Sequence, residues 1–216
     1  MVGRRHRVVI DPGPDHPEHL DRLADACADS DSVSVVSTHH HADHRAAIDP
    51  LIDRLGPMHV SVRAEPGARI ATDSGALEVV ATPGHSQDHV AFWLEDTRML
   101  FCGDLMLGRG DTTWVGEYPG CVADYLASLD RIEALAPRVI LPGHGPDLVS
   151  PASAIRRYRA HRHERIAQVR SFRDEHPDDW RTGLFERVYG SRVPKALESA
   201  ARRSLEALAD YVDTHG

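Results

Sequence analysis

Between residues 7 and 141 the chain repeats one polarity pattern: a short β-branched or apolar run, then a Gly, Pro or Thr turn that carries a polar residue. The runs cover residues 7–10, 33–37, 77–81, 99–102 and 139–141. Segments of that length and composition predict strands, and the loops after them are where chemistry concentrates. Residues 17–28 and 122–136 predict helices; in the second, Val122, Tyr125, Leu126, Leu129, Ile132 and Leu135 fall on one stripe, the spacing of a helix with a buried face. Strands alternating with helices predict a layered α/β domain. After Pro151 the strand signals stop. Ile155, Tyr158, Arg162, Ile166, Val169 and Phe172 keep a helical period, with the Arg162 stem able to snorkel and Pro177 ending the segment. Residues 180–188 and 196–212 predict two further helices around a turn at 190–194. The expected organisation is an α/β domain over residues 1–150 and a helical segment over 151–216.

Composition narrows the class. With 41% hydrophobic and 27% charged residues in 216, the chain has the make-up of a folded globular protein and not of a disordered one. No apolar run approaches the roughly 20 residues that cross a bilayer, and the N-terminal residues lack a secretory signal's apolar stretch. No membrane partner is expected, and the expected address is the cytoplasm. The 3 cysteines, Cys27, Cys102 and Cys121, show no CxxC spacing, which argues against a disulfide scaffold or a thiolate zinc site. Charge divides at the same place as the elements: 12 basic against 23 acidic residues up to Ser150, and 13 against 10 after it. The window at 155–173 holds seven Arg and one acid, Glu164. It reads as a solvated helix face or, as the alternative, a footprint for RNA.

The 15 histidines demand a chemical explanation. The densest group is Thr38-His39-His40-His41-Ala42-Asp43-His44, directly after an apolar run. On an extended segment, positions i and i+2 point the same way, so His39 and His41 can converge on one ion while Asp43 and His44 face another. His85, Asp104 and His144 each end an apolar run beside a Gly, where a parallel-type sheet presents ligands at its carboxyl edge. Five His and two Asp make a donor set that zinc, iron and manganese all accept. Weaker candidates stand nearby. Asp11 reads as a brace for the histidine loop or an Asx turn, Asp88 and His89 as orienting groups or helix caps, and Cys102 as a buried small hydrophobe.

His39-x-His41-x-Asp43-His44, then Thr82-Pro83-Gly84-His85, Phe101-Cys102-Gly103-Asp104 and Pro142-Gly143-His144-Gly145, resemble the metallo-β-lactamase superfamily of hydrolases. The resemblance implies an αββα sandwich with the site at one edge of its two sheets. It implies that His39, His41 and His85 hold a first metal ion and Asp43, His44 and His144 a second, with Asp104 bridging. The stretch around His85–His89 and Gly103–Gly110, with Tyr125, Ser128, Tyr158 and His161, resembles the lactamase-beta-like branch, which includes an endoribonuclease and carries a winged-helix-like segment after the catalytic domain. The resembled fold ordinarily begins with two or three further strands, so this sandwich is expected to be short at its N-terminus with a sheet edge left open, for which a start codon placed too late, a natural shortening covered by a partner chain, as in a homodimer, and a trimmed chain are the competing explanations. Arg45-Ala46-Ala47 stands where Gly-Gly is common, which predicts a more charged pocket rim.

Two divalent ions, zinc first with iron or manganese as alternatives, would lower the pKa of a shared water so that a bridging hydroxide attacks at neutral pH. Asp43 is the expected proton shuttle. The acidic balance of residues 1–150 favours a small ester, thioester or lactone substrate. The alternative is an endoribonuclease on single-stranded RNA. A non-enzymatic metal-bearing dimerisation module is the third reading, and the complete ligand set speaks against it.

Overall fold

The structure, a computed structural model, describes residues 1–190 and 193–215. Ser191 and Arg192, within the expected turn at 190–194, and the terminal Gly216 lie outside the described residues. The chain folds into two sheets packed face to face. The first contains β1 (His6–Ile10), β2 (Ser32–Val36) and β3 (Val60–Ser61), all parallel. The second runs in the order β4 (Arg69–Thr72), β5 (Gly75–Ala81), β6 (Val90–Leu94), β7 (Met99–Gly103) and β8 (Val139–Pro142). The expected strands at 7–10, 33–37, 77–81, 99–102 and 139–141 are all present.

Side-chain alternation assigns each strand's two faces. Val8 and Val36 meet Leu77, Val79 and Phe92 in the apolar layer between the sheets. Val9, Val33 and Val35 point outward, under Leu20 and Cys27 of α1 (Pro17–Cys27) and Ile48 and Leu51 of α3 (Ile48–Leu55). On the far side, Val80, Ala91, Trp93, Leu100 and Cys102 pack against α4 (Cys121–Ala134) and α5 (Pro151–Glu175). The result is the expected αββα sandwich. Each fully buried Leu, Val or Phe removed from water contributes roughly 1.5–3 kcal/mol, so the alternation is the main force that sets strand register.

The expected helical segment is present as α5, α6 (Leu184–Val188) and α7 (Glu198–His215). No strand follows β8 among the described residues, so the helices carry no β-wing. Leu184, Leu205, Leu208 and Val212 belong to the same apolar cluster as Val122, Leu129 and Ile140. The C-terminal helices are thereby built against the sheet and α4.

Sheet direction departs from the sequence reading. The sheet that carries His85, Asp104 and His144 is mixed: β4–β5, β5–β6 and β6–β7 are antiparallel, and only β7–β8 is parallel. Two reversals through β6 leave β5, β7 and β8 running the same way, so their C-terminal ends still share one edge. β6 had no place in the sequence reading because it is buried on both faces, all five residues of it. A strand of that kind shows no alternation.

Candidate metal centre

Four loops meet at that edge. The first follows β2, where Thr38 to His40 form a bend rather than continuing the strand, His41 is extended, and Asp43 and His44 lie in α2 (Ala42–Arg45). The convergence of His39 and His41 therefore comes from the bend and not from strand alternation; their ring centroids are 4.5 Å apart. The second loop carries His85 after β5. Gly84 makes its approach to α4 feasible: at φ 137° it sits where L side chains rarely go, and a Cβ there would meet the Tyr125 Cα at 2.6 Å. Ser128 of α4 donates to the Pro83 carbonyl at 2.7 Å. The third and fourth loops bring Asp104 after β7 and His144 after β8. Gly143 leaves room for the centre, since a Cβ there would stand 2.7 Å from both Asp104 Oδ1 and His44 Cε1.

All seven residues singled out in the sequence come together. His39, His41 and His85 form one group whose donor atoms lie within 4.8 Å of one another; Asp43, His44 and His144 form another; His39, His44 and Asp104 form a third that overlaps both. His85 Nε2 faces His41 Nδ1 at 3.1 Å, close to the roughly 3.3 Å separation of two nitrogens on one tetrahedral ion at bond lengths near 2.05 Å. On the other side His144 Nε2 lies 3.1 Å from Asp43 Oδ2. Asp104 faces both, with Oδ1 3.5 Å from His44 Nε2 and Oδ2 3.6 Å from His144 Nε2 and 3.9 Å from His85 Nε2.

The donors fit a metal pair on chemical grounds. His39 Nε2, His44 Nε2 and Asp104 Oδ1 are buried and make no hydrogen bond in the protein. Orphaned buried polar atoms are costly; here they converge on one spot, and an ion held there would satisfy them together.

Partners behind the donors fix which nitrogen faces inward. Asp11 accepts from the Thr38 backbone N–H at 2.7 Å, from the Thr38 hydroxyl at 2.8 Å and from His44 Nδ1 at 2.9 Å. Thr38 Oγ1 in turn lies 3.0 Å from His39 Nδ1. With its hydroxyl hydrogen given to Asp11, Thr38 is the acceptor, so His39 carries its proton on Nδ1 and turns a bare Nε2 inward. His85 Nδ1 donates to the Trp114 carbonyl at 2.9 Å. Asp11 is thus a brace, as one of its two sequence readings had it, and it holds a left-handed φ of 48° to be one.

Electrostatics divide the centre. Burial pushes His39 far below the ordinary histidine range and lowers His85 as well. His44 is also buried, but the Asp104 carboxylate facing its Nε2 at 3.5 Å and the Asp11 carboxylate bound to its Nδ1 at 2.9 Å overcome that and raise it to about 10. Burial opposes the Asp104 charge, yet His44, His85 and His144 hold its carboxyl below the usual range.

Several supporting residues escaped the sequence reading. Glu117 places Oε2 3.4 Å from His41 Nε2 and Oε1 3.3 Å from His40 Nε2. Trp114 stacks on the His41 ring at 6.0 Å and 25°. His40 is exposed and donates to Asp88 at 2.9 Å. His89 has no helix to cap, because turns and then β6 follow His85; buried and pushed down to about 3, it donates from Nδ1 to Thr82 Oγ1 and accepts the Asp104 backbone N–H at 3.2 Å. Cys102 is fully buried, with burial holding its thiol up at about 12. Arg162 does not snorkel: it is 3% exposed, donates to the Thr113 carbonyl at 3.2 Å and lies over the Tyr125 ring. Thr113 donates to the Asp104 carbonyl at 2.9 Å, so this arginine braces the loop behind Asp104.

The sandwich and its ligand edge are those of a metallo-β-lactamase-fold hydrolase, and in sequence the chain is similar to the metallo-beta-lactamase superfamily. The superfamily's sequence profile matches residues 56–144, which include His85, Asp104 and His144. A beta-lactamase-like protein 2 homolog from Caenorhabditis elegans is 29% identical over 93% of this chain and 72% of its own length. A protein named as a thioesterase from Emericella nidulans is 33% identical over 76% of this chain, which spans 49% of that relative. The solved structure of a metallo-beta-lactamase family protein from Thermus thermophilus superposes with a TM-score of 0.70 at 20% identity, over 97% of this chain and 85% of that one.

Proposed function

We propose that the chain hydrolyses small acyl esters, thioesters foremost, with two divalent ions held by His39, His41 and His85 on one side and by Asp43, His44 and His144 on the other, Asp104 being shared. The observation that carries this reading is the group of His39, His44 and Asp104, which shares His39 with one ligand group and His44 with the other, together with the orphaned buried donor atoms of these three residues. The thioesterase name of the Emericella relative supports the substrate class. Zinc is the first choice of ion, and the His/Asp donors take iron or manganese as well.

When bound, such ions supply an activated water near neutral pH and polarise the scissile carbonyl. The chain's own residues do the rest. Asp11 and the Trp114 carbonyl keep the imidazoles turned inward. Asp43, with its side chain 56% exposed and His144 beside it, is placed to take a proton from the attacking water and pass it to the departing thiolate or alkoxide. No Ser or Cys nucleophile is needed.

The RNA reading loses support, because two central arginines of α5 are committed elsewhere. Arg162 is buried, and Arg159 binds Asp130 and Glu133 at 2.8 and 2.7 Å. The metal-loaded chain, assayed on thioester, lactone, phosphodiester and RNA substrates, is expected to turn over thioesters with little dependence on salt and to stop on chelation. Salt-steep RNA cleavage without thioester turnover would reject the proposal. Fewer than two ions per chain at saturation would reject its dinuclear form.

A further inference from the structure

Beside the metal centre a cleft of about 560 Å³ opens between the bend after β2, the loop at 61–66 and the ends of β5 and β6. That volume falls within the range of small-molecule sites. His39 lines it, so cleft and centre share a wall. Ile48, Val62, Ala64, Pro66, Pro83 and Val90 give an otherwise polar lining one apolar patch, which suits methylene groups.

Its charged residues are accounted for, with one exception. Glu65 is paired with Arg63 at 2.6 Å. Asp88 accepts from Ser86 at 2.7 Å and from His40 at 2.9 Å. The Arg45 side chain has neither a hydrogen bond nor an ion pair among the described residues, and Arg45 lines the same cleft. Successive residues on a helix diverge by about 100°; His44 is turned into the centre against Asp11 and Asp104, while Arg45 is exposed.

We infer that this cleft is the acyl subsite and that it selects acyl chains ending in a carboxylate, which Arg45 binds. The inference rests on the thioester reading above. An acyl chain whose reacting carbonyl lies at the centre beside His39 would run along the apolar wall, and its terminal carboxylate would meet the one cation with no partner. A guanidinium suits that role, since its planar fork matches a carboxylate with two parallel hydrogen bonds.

The test compares adipoyl and hexanoyl thioesters of N-acetylcysteamine, which differ in acyl chain only by a terminal carboxylate in place of a methyl. The full metal-loaded chain should favour the adipoyl substrate by about tenfold in kcat/KM at low salt, and the preference should shrink as salt is added. Arg45→Gln should bring the ratio to about one, and Arg45→Lys should restore part of it. An equal rate on the two substrates, or a preference that survives Arg45→Gln, overturns the inference while leaving the thioesterase reading in place. If neither thioester is cleaved, that reading falls, and calorimetry still decides the subsite. Adipate should bind the loaded protein more tightly than hexanoate, with the difference lost in Arg45→Gln; equal binding overturns the subsite.

Discussion

The two sides of the candidate metal centre are built differently from the same residue types. On the first side, His39 and His85 have side chains 2% and 6% exposed, backed by Thr38 and by the Trp114 carbonyl, and burial holds both below the ordinary histidine pKa. On the second side Asp43 and His144 are 56% and 50% exposed and rest mainly on each other. Its one buried member, His44, carries a proton that Asp104 and Asp11 stabilise. The first side is arranged for an ion before one arrives. The second is open to solvent and must give up a proton first. A tightly held ion beside a more exchangeable one is the expected result, because metal ligation needs deprotonated donors and oriented rings.

The largest effect should come from removing what the two sides share. Asp104→Asn keeps the shape but loses the charge that faces His44, His85 and His144. Losing charge stabilisation worth several kcal/mol corresponds to an activity fall of about a thousandfold. Metal content should drop on both sides. If the variant kept two ions and full turnover, Asp104 would not be the shared ligand.

Asp11→Asn should separate the sides. Asparagine tolerates the left-handed backbone that Asp11 holds, so the fold should survive and the effect should report on the carboxylate. Asp11 touches His44 directly but reaches His39 only through the Thr38 hydroxyl. Second-ion affinity should therefore fall by about 10–100-fold, and first-ion affinity by less. Equal losses in a competitive chelator titration would contradict the division drawn between the sides.

Proton release offers a quantitative check. The His44 pKa is raised in the metal-free protein, so the imidazolium and its carboxylates stabilise the fold fully below the ordinary histidine pKa near 6.5, and that contribution fades as pH climbs through about 10. An ion must displace that proton. Between pH 7 and 9, affinity for the second ion should rise about tenfold per pH unit, with about one proton released. The first ion, met by neutral His39 and His85, should show a shallower slope. Calorimetry in buffers of different ionisation enthalpy separates the two; identical proton counts would remove the electrostatic contrast.

Much of the centre was legible in the sequence because each ligand loop is local: an apolar run, then Gly or Thr, then the ligand. The two-sided pattern of the flanking strands follows from the same alternation. What escaped was whatever tertiary packing decides. Val90–Leu94 hides the sheet reversal because both its faces are covered. Arg69–Thr72 is a short edge strand with two exposed residues, too polar to stand out. Glu117 and Trp114 lie in the long loop between β7 and α4, where no periodicity exists to read. They reach His41 and His85 because Arg162 and α7 hold that loop in place, and a count of arginines cannot distinguish a brace of this kind from a solvated face.

The smallest predicted effect concerns that support. Ser204 of α7 donates to the Val115 carbonyl at 2.7 Å, and Gly116 lies so close that a Cβ there would stand 2.7 Å from the Ser204 nitrogen. Both contacts fall between Trp114, which orients His85, and Glu117, which faces His41. Ser204→Ala should cost about 1 kcal/mol of stability, the usual net worth of one buried hydrogen bond, read as a shifted denaturation midpoint. If α7 steadies the first side in particular, the same substitution should also weaken first-ion binding by a few-fold and leave the second ion's pH slope unchanged. A stability loss without any change in metal affinity would confine α7 to packing and leave the order of the first side to the sandwich alone.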